Sequence, residues 1–143
     1  MKGTGMGILE KLIKKPQIEE MYQGELHDFL VDLIVREAKK MEGHEVRTRR
    51  QDLCQALMEV NPKIGEGDSL KTDLKTIVTD WQATPEQIDA LEKLGFSCNK
   101  ENKNKHYRVW WKDWRKYAGT LPASPSDHRA WKNSWSNLKN MFF

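Results

Sequence analysis

Apolar side chains recur at three- and four-residue steps through the first two-thirds of the chain, and this spacing predicts helices. Ile8, Leu9, Leu12 and Ile13 form a short amphipathic segment that stops before Pro16. From about Ile18 to Met41, Leu26, Phe29, Leu30, Leu33, Ile34, Ala38 and Met41 give one wide apolar stripe, and Gly43 ends it. Thr48 and Gln51 have capping-box spacing and open a third helix, with Leu53, Ala56, Leu57 and Val60 expected inward. "NPKIGEGDS" ends that helix, and Asp68 or Ser69 is expected to cap the next, which turns Leu70, Leu74, Ile77, Val78 and Trp81 to the core. "TPEQ" then sets Thr84 as cap, Pro85 in the first turn and Gln87 at the box position. Gly95, in "LEKLGF", supplies the left-handed residue that closes this helix.

Past Gly95 the period changes from helical to alternating. "FSCNK" and "HYRVWWK" predict strands around the polar turn "ENKNK". "YAGTLP" predicts a third strand, reached through the turn "DWRK", which holds Trp114. "SPSD" predicts a last helix with Ser124 as cap, Pro125 in its first turn and Asp127 three residues on. In that helix Trp131, Trp135, Leu138 and Phe142 make a core stripe beside a polar face of Arg129, Lys132, Ser136 and Lys139. The expected fold class is α+β, with a helical part over residues 1–83 and a basic α-β-β-β-α module over 84–143 around a three-stranded antiparallel sheet.

Composition adds a class and a charge asymmetry. The chain of 143 residues is 31% charged and 38% hydrophobic, as globular proteins with charged surfaces are. Its longest apolar run, "FLVDLIV", contains Asp32, so no membrane span is expected. No signal peptide is read at the start, and Cys54 and Cys98 fit small buried residues of a reducing compartment, with the cytoplasm as the expected location. The cysteines and four histidines show no metal spacing, "GTGMG" is no phosphate loop, and no cofactor is expected. Residues 96–143 hold ten of the 24 Lys and Arg against three of the 21 acids, which leaves +7 there and −4 in residues 1–95. Opposite signs in the two parts point them at different things.

Five of the six tryptophans lie within 110–135, among those cations. Alternation sorts "HYRVWWK" into Tyr107, Val109 and Trp111 on a core face and His106, Arg108, Trp110 and Lys112 on an outer one. Cations neutralise phosphates, and an exposed indole gives bases a stacking platform worth roughly 1–3 kcal/mol each. The expected nucleic-acid-binding residues are therefore His106, Arg108, Trp110 and Lys112, then Arg115 and Lys116 in the adjoining turn. Arg129 and Lys132 at the start of the last helix complete the set, because helix N-termini attract anions.

"LEKLGF", a strand with "HYR", a strand ending "TLP" and a capped helix together resemble the α-β-β-β-α fold of double-stranded-RNA-binding domains and HicA-like toxins. "PSDHRAWKN" is similar to the "TPSDHRAGKN" of small bacterial modules. The resemblance covers residues 84–143 and implies nucleic-acid binding, DNA or RNA. In the toxins a strand histidine is catalytic, and the matching position is His106. Here "NK" precedes that histidine in place of Gly-Ser, and Trp131 replaces the glycine after "HRA".

Other readings use other residues. The helices from Thr48 and Ser69 form a candidate winged helix-turn-helix, with Lys71, Thr72 and Lys75 toward a groove and Arg47, Arg49 and Arg50 toward phosphates. A protein-interaction module, an accessory factor or inhibitor, uses the same Trp/Arg-rich surface, since tryptophan and arginine dominate interface hot spots. The N-terminal helices then serve a protein partner or a homodimer. Catalysis is not expected, because a lone histidine lacks the placed partner that acid–base chemistry needs.

Overall fold

A computed structural model describes residues 14, 16–100, 106–123 and 129–143. The described residues form helices α1 (Glu25–Lys40), α2 (Arg49–Val60), α3 (Glu66–Val78) and α4 (Pro85–Leu94). Strands β1 (Phe96–Lys100), β2 (Tyr107–Trp111) and β3 (Trp114–Leu121) follow, then helix α5 (Ala130–Phe142). The fold is α+β, with a three-stranded antiparallel sheet in the order β1-β2-β3 between α4 and α5. None of the described helices is long and apolar enough to cross a membrane. The segment Ile8–Ile13, the turn "ENKNK" and the Ser124, Pro125 and Asp127 cap lie outside the described residues.

Local signals set most of the helix ends. At Thr48 and Thr84 the threonine hydroxyl accepts from the Gln51 or Gln87 amide, and the glutamine side chain returns to the threonine N–H. Gly95 closes α4 at φ 118, its N–H shared between the Leu91 and Glu92 carbonyls. That glycine has a second reason to lack a side chain, because a Cβ there would sit 2.8 Å from the Trp111 ring.

Two helix starts differ from the expectation. α1 begins at Glu25 rather than near Ile18, behind a left-handed Gly24. Glu20 takes the place of the missing cap by accepting from the Leu26 N–H at 2.9 Å, and Glu25 reaches back to accept from the Met21 N–H ahead of the helix at 2.9 Å. α3 begins at Glu66, ahead of Asp68 and Ser69, behind a left-handed Gly65 that makes no side-chain cap. Its cap comes from a different helix. Asp28 of α1, 4% exposed, accepts from the Ile64 and Gly65 amides at 2.8 and 2.9 Å.

The core draws on both halves of the chain. Met21, Leu74, Val78, Trp81, Leu91, Phe96, Val109, Trp111, Leu121 and Leu138 form one buried cluster, with Trp131, Trp135 and Phe142 packed against it. Trp81 is 2% exposed and donates from Nε1 to the Pro122 carbonyl at 2.8 Å, tying the end of α3 to the end of β3. α5 crosses the inner sheet face at Gly119, where Leu138 fills the space a side chain would need.

The α2 face differs from its expectation. Leu53, Ala56, Leu57 and Val60 are exposed, and the helix buries Cys54 and half-buries Met58 and Gln51 instead. The reason is tertiary: α2 packs on α1 and on no other described element, so one narrow stripe is covered. α1 likewise leaves Phe29, Leu30 and Leu33 exposed while burying Asp28 and Val31.

Candidate nucleic-acid interface

The register of β2 confirms the alternation. Val109 and Trp111 are buried and Tyr107 half-buried on the inner face, while Arg108 and Trp110 stand on the outer face. Across the ladder, Trp110 lies between Ser97 and Ala118, and Arg108 between Asn99 and Thr120. An open concavity of ≈ 400 Å³ runs beside Trp110, lined by Glu92, Gly95, Ser97 and Asn99 among others. Ser97, Asn99 and Thr120 were not among the sequence candidates; pairing register alone brings them to this face.

Trp110 is not the exposed platform that alternation suggests. It is 6% exposed, and the Arg115 guanidinium lies over its ring, 4.8 Å from the centroid. The cause is a register shift. Trp110 pairs with Ala118 while Trp111 pairs with Trp114, so Arg115, Lys116 and Tyr117 stand between the partners of adjacent β2 residues. A bulge of this kind re-aims side chains, and here it brings Arg115 over the indole. Trp114 departs from its expected turn as well. It begins β3, half-buried, and donates from Nε1 to Glu19 Oε2 at 3.0 Å.

The β2–β3 connection is two residues long, and Lys112 takes φ 48 within it. Two hydrogen bonds hold this left-handed residue: its N–H donates to the Gly95 carbonyl at 2.9 Å, and its carbonyl accepts from Ser97 Oγ at 2.8 Å. Its ammonium lies 5.5 Å from the Trp111 ring. Lys116 lies 5.5 Å from the Tyr117 ring and Lys132 lies 6.0 Å from Trp131. These cations thus ride on aromatic rings, an arrangement worth about 0.5–1 kcal/mol at exposed sites. Among the described residues, Lys112, Arg115, Lys116 and Lys132 form no ion pair with a carboxylate.

The sequence candidates divide between two places. Arg108 and Trp110 share the outer face, Arg115 lies over Trp110, and Lys112 and Lys116 lie at or next to the β2–β3 connection. Exposed His106 adjoins the opposite end of β2, and no described residue hydrogen-bonds its ring. Arg129 is the cap residue of α5 and Lys132 lies in its first turn, on the helix that covers the inner face. The structure therefore does not bring Arg129 and Lys132 onto the outer face.

The helix-turn-helix candidate is not assembled. α2 and α3 do not touch, whereas that motif packs its two helices together. Lys71 is half-buried and lines a polar pocket with Asp28, Asp32, Lys63 and Asp68, while Thr72 and Lys75 are exposed. Arg47 and Arg50 are paired with Asp52 and Glu37.

Cys98 pairs with Val109 and so points to the inner face, packed against the core. Burial, assisted by the Glu92 carboxylate, pushes Cys98 up to about 12. No group of His, Cys, Asp or Glu among the described residues is arranged to hold a metal. Compared with protein-family models, curated proteins and solved structures, the chain matches none of them.

Proposed function

We propose that the protein binds nucleic acid, without cleaving it, through the outer sheet face and the β2–β3 turn. The observation that carries this reading is the Arg115 guanidinium over Trp110, on the sheet face that also carries Arg108, with no described carboxylate pairing Lys112, Arg115 or Lys116. Bases stack on arginine planes as well as on aromatic rings. Trp110 then acts from beneath, holding the guanidinium flat, and the cations at the turn neutralise phosphates. The order of a helix, three antiparallel strands and a helix supports the same reading, since it is compatible with the double-stranded-RNA-binding and HicA-like topology. Binding a protein partner through the same Trp/Arg-rich surface is the second reading, and the exposed leucines of α1 and α2 offer it a further contact.

Fluorescence anisotropy with single- and double-stranded RNA and DNA oligonucleotides tests the proposal. Neutralising three or four phosphates of duplex DNA gives a log–log salt slope of about −2.7 to −3.6, so affinity falls roughly 40- to 150-fold between about 50 and 200 mM salt. Arg115→Ala and Arg108→Ala are each expected to weaken binding at least several-fold, and Arg129→Ala to leave it nearly unchanged. Absence of binding at low salt, or binding indifferent to Arg115, refutes the reading. Cleavage of the oligonucleotide that disappears in His106→Ala would replace it with a nuclease.

A further inference from the structure

α2 is a twelve-residue helix held by a single neighbour, α1. A helix this short is marginal without tertiary packing, yet most of its apolar surface is unpacked. Leu53, Leu57 and Val60 are 48%, 38% and 75% exposed, and on α1 Leu30 and Leu33 are 45% and 43% exposed. The register of the hairpin brings these side chains together. His27 Nε2 meets the Pro62 carbonyl at one end, and Arg50 meets Glu37 at 3.2 Å near the other, so the helices run antiparallel. Leu53 and Leu57 follow Arg50 by three and seven residues, and Leu33 and Leu30 precede Glu37 by four and seven. Helical spacing therefore sets the four leucines on one flank, the flank that the Arg50–Glu37 pair marks.

That flank carries no charge among its leucines, and at its end Glu37 pairs with both Arg50 and Lys40. At roughly 200 Å² per fully exposed large side chain, the five apolar residues present on the order of 500 Å². With the polar atoms around them, this approaches the ~800 Å² per partner of a standard interface. A face whose charges stand only at one end, paired on Glu37, binds through its apolar middle, and a second copy supplies an apolar face of equal area. We infer that this flank is the two-fold interface of a homodimer, in which two α1–α2 hairpins pack as a four-helix bundle. In that geometry the hairpins bury the side that neither can cover alone, as helical hairpins do in such bundles.

Sedimentation velocity on the full chain from about 1 to 100 μM, beside thermal melts over the same range, tests the inference. The expected particle has about twice the 16.8 kDa mass of the chain, dissociates on dilution, and melts higher at higher concentration. Leu53→Glu with Leu57→Glu is expected to stay monomeric throughout while keeping its far-UV circular dichroism. If that variant loses helix, Leu33→Lys on the better-anchored α1 replaces it with the same expectation. A wild-type monomer at the highest concentration overturns the inference. A dimer that both variants leave intact overturns it too, because the copies then meet elsewhere. Nucleic-acid binding is read independently, since Arg108 and Arg115 lie outside this flank.

Discussion

Asp28 connects α1 to the loop that precedes α3, and Asp28→Ala measures that connection. The carboxylate is 4% exposed and accepts from two loop amides, Ile64 at 2.8 Å and Gly65 at 2.9 Å. Hydrogen bonds to a charged group contribute about 1.5–3 kcal/mol each, and part of that is offset because alanine removes a charge held out of water. The expected net loss is about 2–4 kcal/mol. With an unfolding entropy of about 2.1 cal/mol/K per residue, a mid-range loss of about 3 kcal/mol lowers Tm by about 10 °C. Asp28→Asn keeps one acceptor but turns an N–H₂ toward a donor, so it is expected to recover less than half of the loss.

The pH dependence of the same variants gives a second readout. Burial alone would push the Asp28 carboxyl up; the Gly65 and Ile64 amides, with Lys63 and His27 nearby, more than offset it and hold it below its ordinary 3.8. The folded protein thus binds this proton more weakly than the unfolded chain does. Its contribution is complete above that ordinary value and is lost as pH falls through the depressed folded one. The stability gap between wild type and Asp28→Asn is therefore expected to be constant from neutrality to about pH 5 and to narrow in stronger acid. Urea denaturation followed by circular dichroism at several pH values measures both quantities. A loss below about 0.5 kcal/mol in Asp28→Ala, or a gap that widens in acid, refutes the assignment of Asp28 as the cap of α3.

Three further outcomes follow from packing and burial. Gly95→Ala must accommodate φ 118 and a Cβ 2.8 Å from Trp111, so its urea midpoint is expected to fall by the equivalent of about 2–4 kcal/mol. Trp81→Phe removes the 2.8 Å donor to the Pro122 carbonyl along with ring volume, with an expected loss of about 2–4 kcal/mol; a neutral result would mean water replaces the indole. Cys98, with its thiol pushed up to about 12, is expected to resist iodoacetamide at pH 8 in the folded protein and to react once urea unfolds it, read by peptide mass mapping.

The sequence by itself determined what depends on neighbours a few residues apart. Thr48 with Gln51, Thr84 with Pro85 and Gln87, and Gly95 each specify a helix end through bonds that close locally, and all three ends stand where their residues put them. Alternation likewise placed Val109 and Trp111 in the core and Trp110 opposite them, because side-chain direction in a strand has a period of two. Tertiary structure decided what depends on residues far apart. The cap of α3 is Asp28, thirty-six residues before the first amide it holds, so no local pattern around Asp68 reveals it. The exposed leucines of α2 have the spacing of a buried stripe, and periodicity shows that a face is apolar without showing what covers it. At the candidate site, the outer position of Trp110 was legible but its burial was not. A three-residue shift in β3 brings Arg115 over the ring, and such a shift is set by how two strands settle against α5 and the core rather than by either strand alone.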